Sequence, residues 1–165
     1  MKVNISVLII RAALVLIFLF GIFICVYWYP SNASVSAGLV LYRPEEIPFN
    51  ALVIYWSQLA FYWAVSIPCF IVVILGFKGT MIAGKEGEFS LNTAKLLFKM
   101  ALILFIASIA FIIGTAVFGI LEWNYFSSLY YAIGGVGVGL SGFLYIAYKF
   151  MFKVSKIKED SDSIL

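Results

Sequence analysis

Four long apolar runs, at residues 7–29, 49–77, 97–121 and 126–151, take up most of this chain, with short polar stretches between them. Each run is long enough to cross a hydrocarbon core of about 30 Å as a helix. The pattern predicts an all-α polytopic membrane protein with four transmembrane helices in a single domain. The first run closes on Tyr27-Trp28-Tyr29-Pro30, three interfacial aromatics and a residue that cannot continue a helix, so the first span is expected to end there. Residues 30–48 then form an outer loop. The second run holds Pro68, which frees the carbonyl near Ala64 and bends the helix without excluding it from a bundle. Residues 78–96 form an inner loop in which Ser90 is the expected N-cap of a surface helix leading into the third span. Only residues 122–125 join the last two runs, which forces an antiparallel hairpin. Residues 152–165 are a Lys-rich tail ending in acidic residues.

Charge sets the orientation. Threading the four runs alternately puts Lys2, Arg11, Lys78, Lys85, Lys95, Lys99, Lys149, Lys153, Lys156 and Lys158 on one side, with Arg43 alone opposite. Cationic flanks stay in the cytoplasm during insertion, so both termini are expected there. Five acids (Glu86, Glu88, Glu159, Asp160, Asp162) share the inner side, for a net charge of +5. On the outer side Glu45, Glu46 and Glu122 outweigh Arg43, for a net of −2. The basic face suits anionic lipid headgroups, with Lys149, Lys153 and Lys156 on one helical face as its main contact. A hydrophobic content of 64% with 12% charged residues lies outside the range of soluble domains. The first run is too long, and Arg11 too early within it, for a cleavable signal, so it reads as a retained span.

Composition also narrows the chemistry. Histidine is absent, which removes the commonest general base and transition-metal ligand. With no metal, cofactor or catalytic set legible, no enzymatic activity is expected, and there is no basic domain for nucleic acid. Cys25 and Cys69 lie about 6 Å and about 30 Å from the outer ends of their runs at 1.5 Å per residue, too far apart in depth for a disulfide. Gly137-Val138-Gly139-Leu140-Ser141-Gly142 matches a dinucleotide fingerprint by letter but sits inside an apolar run with no preceding strand. The same glycines read better as helix contacts, Gly135 and Gly139 forming GxxxG and Gly114 answering from the third span. The expected use is packing of span three on span four, with homodimerisation as the alternative. Aromatics crowd the outer end. Trp28, Tyr55, Trp56 and Trp123, with the amide of Gln58, form either an anchoring girdle or a pocket for an amphiphile. For Gln58 itself an interhelical hydrogen bond competes with a ligand contact.

The segment Gly87-Glu88-Phe89-Ser90-Leu91-Asn92-Thr93-Ala94-Lys95 resembles a stretch that recurs in a family of small bacterial four-helix membrane proteins, domain of unknown function 2975. The aromatic-Trp-aromatic-Pro end of the first span, the proline in the second and the Lys-rich tail extend the resemblance over nearly the whole chain. Proteins of that family are often encoded beside a small helix-turn-helix regulator, so the resemblance implies sensing or regulation and supplies no catalytic residues. The resulting expectation is a non-enzymatic protein of the bacterial cytoplasmic (inner) membrane, acting as sensor, regulator or accessory subunit. Its partners would be anionic lipid and either a cytoplasmic regulator or further copies of itself. The alternative is an oligomeric small-molecule transporter or channel component.

Overall fold

The computed structural model describes residues 5–41, 43, 46–86, 90–123 and 127–162. Of the residues named above, Lys2, Glu45, Gly87, Glu88 and Phe89 lie outside that description. Among the described residues, four helices are long and apolar enough to cross a membrane: Val7–Ser36, Phe49–Lys85, Leu91–Ile120 and Ser128–Lys158. Together they form an all-α four-helix bundle of the multi-pass membrane type.

The first span does not stop at Pro30. Helix α1 (Ile5–Phe23) passes through one π-helical turn (Ile24–Trp28) into α2 (Tyr29–Ser36), with Pro30 in the first turn of α2. In the π turn the Tyr29 N–H bonds the carbonyl of Ile24, five residues back. That widening carries the preceding carbonyls away from the proline ring, which is what ordinarily breaks a helix at proline. In the same register Pro30, having no N–H, would leave the carbonyl of Cys25 unpaired. Trp63 Nε1 on the neighbouring helix donates to that oxygen at 3.0 Å. The actual stop is Gly38, whose φ of 68° takes the left-handed conformation of a C-terminal cap while its N–H bonds Val35. A short 3-10 turn, Leu39–Leu41, follows.

The expected loops on the Lys-rich side are also largely helical. Helix α3 (Phe49–Glu86) runs 38 residues through Pro68 without a break, and only four residues separate it from α4 (Leu91–Ile120). Ser90 caps α4 as expected, its Oγ accepting from the Thr93 N–H at 3.1 Å. At the other end of α4, Trp123 N–H bonds Phe118 and Glu122 N–H bonds Gly119, with Glu122 at φ 57°. This is a Schellman cap with glutamate where glycine is usual. Helix α5 (Ser127–Asp162) then returns over 36 residues, about 54 Å, well beyond a hydrocarbon core of about 30 Å.

Neighbouring helices are antiparallel and pack in the order α1–α3–α4–α5. The α4–α5 hairpin is the tightest pair, while α1 and α5 do not pack along their length. The core lies towards the aromatic-rich end. Tyr62 of α3 and Tyr130 of α5 are almost wholly buried with Phe111 of α4, and Phe61, Val65 and Tyr29 pack around them. Tyr29, Tyr62 and Tyr130 form a continuous stack, with centroids 4.9 Å and 5.0 Å apart. Tyr29, interfacial by its place in the sequence, therefore packs against the buried Tyr62 and Tyr130, and the stack joins three helices.

Candidate functional sites

Contacts between successive helices bring one cation from each to a common level. Arg11 Nε donates to Thr80 Oγ1 at 3.0 Å, which sets α1 against α3. Gly79 of α3 lies against Leu96 of α4, and the Phe98 ring meets Tyr148 of α5 at 5.1 Å. Arg11, Lys78, Lys99 and Lys149 therefore mark a single cross-section of the bundle, and all four are exposed. Lys95 and Lys153 stand about one turn further out. Packing continues past this section, because Thr93 and Ala94 on α4 and Ser155 on α5 are buried. The Lys-rich end is thus an ordered helical extension. Lys149 Nζ lies 5.6 Å from the Tyr145 ring centre, and Lys156 Nζ 5.3 Å from that of Phe152. Each aromatic is one turn earlier, so both ammonium groups lean back towards the apolar part of α5. Lys153, between them, is exposed.

The five residues of the aromatic end divide among three settings. Gln58 is buried, and its Nε2 donates to the backbone carbonyl of Trp123, tying α3 to the α4–α5 turn. The Trp123 ring stacks on Phe118 at 6.2 Å. Tyr55 meets Trp56 edge to face at 5.1 Å, and Trp56 is 57% exposed. Trp28, also exposed, lies near the Tyr130 hydroxyl together with Asn32 and Tyr62. Neither the Tyr130 hydroxyl nor Asn32 Nδ2 makes a hydrogen bond of good geometry there, although both atoms are buried. The Asn32 amide therefore points into the bundle.

The glycines sort differently from the sequence expectation. A Cβ at Gly114 would overlap the Phe61 ring, so this glycine admits α3, not α5. The α4–α5 contact uses Gly134 against Ile112 and Gly137 against Ser108. Gly135 and Gly139, expected to pack span three on span four, instead face outward with nothing within 4 Å, as does Gly142. All six residues of the fingerprint-like stretch lie within α5, far from any strand-to-helix turn. The hairpin rotates α5 about its axis so that alternate small residues take the contact.

Between the helices lies a cavity of about 380 Å³ that the sequence did not suggest. All four spans contribute to its wall, among them Leu14, Cys25, Cys69, Met100 and Leu144. The depth argument separating the two cysteines fails because the outer ends of their helices are not level: the first helix continues to Ser36, and the Trp63 indole meets the Cys25 carbonyl, which leaves Cys69 only about 9 Å deeper. Both thiols are free and face one cavity. Reading helix length from the apolar run concealed this. The visible signal was Gly38, eight residues beyond Pro30. Comparison with protein-family models, curated proteins and solved structures found no match to this chain.

Proposed function

We propose that this chain is a non-enzymatic, multi-pass protein of the bacterial cytoplasmic membrane, acting as a sensor, regulator or accessory subunit with both termini in the cytoplasm. The observation that carries the reading is the cationic cross-section at Arg11, Lys78, Lys99 and Lys149, with α4 and α5 still packed beyond it. Cations from four helices at one depth suit the headgroup level of an anionic leaflet. The helical extension past that level then presents Lys95, Lys153 and Lys156 to the cytoplasm as a fixed surface for a soluble partner. A place in the small bacterial four-helix family that residues 87–95 resemble fits this reading, since a neighbouring regulator would be the natural partner.

The test is cross-linking mass spectrometry on the full chain, purified in mild detergent, with and without Lys149→Gln, Lys153→Gln and Lys156→Gln combined. One stoichiometric cytoplasmic protein, cross-linked to the α5 extension and lost in the triple variant, supports the proposal. A symmetric homo-oligomer that carries solute flux in liposomes would instead favour a transporter or channel component. The specific observation behind that second reading is the outward-facing stripe of Gly135, Gly139 and Gly142.

A further inference from the structure

The cavity between the four helices is neither a void nor a water site by its own chemistry. Its wall extends from Leu14 to Tyr29 on the first helix, about 20 Å of rise. Leu14 lies only three residues beyond Arg11, so the slot starts just inside the cationic cross-section and covers most of a core about 30 Å thick. A volume of about 380 Å³ drawn out over that length suits a chain better than a compact ligand. Besides the Cys25 thiol, a weak donor, the few polar groups on the wall are already engaged. Ser66 Oγ donates to the Tyr62 carbonyl at 2.8 Å, the Tyr29 hydroxyl lies against Ser66, and Cys69 Sγ approaches the Val65 carbonyl at 3.8 Å. A buried water needs two to four polar partners, and here it would find few. An empty apolar space of this size would forfeit the dispersion contacts of its whole lining.

The way in is lateral. Ile17 on α1, with Leu140 and Phe143 on α5, line the cavity and are also more than half exposed, so the cavity is open between these two helices. These are the two helices that do not pack along their length. What lies outside that gap, at that depth, is the hydrocarbon of the bilayer. A second copy of the chain is a poorer occupant, because a helix with its side chains is about 10 Å across and would have to part α1 from α5.

We propose that this cavity binds one hydrocarbon chain of a membrane amphiphile, which enters from the bilayer between α1 and α5. The inference requires membrane insertion but not the regulatory reading of the Lys-rich end. It is tested by reconstituting the full chain in vesicles of phosphatidylethanolamine and phosphatidylglycerol that contain a phospholipid with a mid-chain diazirine. After irradiation, adducts are mapped by mass spectrometry. Adducts are expected on Val73, which is buried from the surrounding lipid, as well as on outward-facing Leu19. Cys69→Trp, which fills the slot, should lower the Val73 adduct about ten-fold and leave Leu19 unchanged. Labelling confined to outward-facing residues in the wild-type chain would overturn the proposal, whether or not the variant folds. So would a wall cross-linked to a second copy, or an unchanged Val73 adduct in a Cys69→Trp protein that unfolds at the wild-type temperature. If the cytoplasmic partner search fails while Val73 is labelled, the regulatory reading falls and the chain site stands.

Discussion

Gly114 and Gly139 are both glycines within apolar helices, yet one is enclosed and the other bare. At Gly114 the Phe61 ring occupies the space a side chain would take, and at Gly139 nothing approaches within 4 Å. Gly114→Leu is therefore expected to lose about 2 kcal/mol through overpacking, seen as a lower unfolding temperature in detergent. Gly139→Leu should leave that temperature unchanged within error. If α5 self-associates through its stripe, Gly139→Leu will alter oligomer size by light scattering without altering the unfolding of the protomer. Equal thermal losses for the two substitutions would contradict the packing described. From sequence, both glycines offered close approach; which helix takes up the offer depends on rotation about the helix axis. Composition carries no record of that rotation.

At the scale of an element, the first helix is the instructive case. Pro30 predicts its end, because proline has no N–H and its ring collides with the preceding turn. The π turn at Ile24–Trp28 relieves the collision, and Trp63 replaces the missing donor. These two devices are coupled, which a double-mutant cycle can measure. Trp63→Phe leaves the Cys25 carbonyl without this donor and should cost about 1 kcal/mol. In a Pro30→Ala background the chain regains an N–H for that turn, so the same Trp63→Phe should cost close to nothing. A full loss in both backgrounds would refute the link between the proline and the indole. The pairing joins residues 33 positions apart, and no local pattern points to it. By contrast, the Ser90 cap and the short α4–α5 turn were legible, because each depends on a few adjacent residues.

The whole molecule combines a polarised charge pattern with an incompletely closed bundle. Alternate threading predicts that Lys85 and Lys158 share one side of the membrane and that Val40 faces the other. Single cysteines at these positions, in a Cys25→Ala and Cys69→Ala background, provide the check. A membrane-impermeant maleimide should label Val40→Cys in intact cells, and Lys85→Cys and Lys158→Cys only after lysis. Labelling of all three in intact cells would remove the topology on which the regulatory proposal stands. The open edge between α1 and α5 follows from packing order, not from charge. Three successive antiparallel contacts place four helices, but nothing in them requires the first to close on the last. The space left over is the cavity that contains both cysteines.

Four apolar runs and the one-sided distribution of lysine and arginine determined the helix number and the expected orientation. These are sums over many residues, and no single contact can reverse them. Tertiary structure decided where the first helix stops, which glycines are enclosed, and that Tyr29 stacks on a buried core of Tyr62 and Tyr130. It also brought Cys25 and Cys69 to one cavity. Each of these depends on the register and rotation of one helix against another. Long-range side-chain packing selects that register, and a one-dimensional hydrophobic pattern does not encode it.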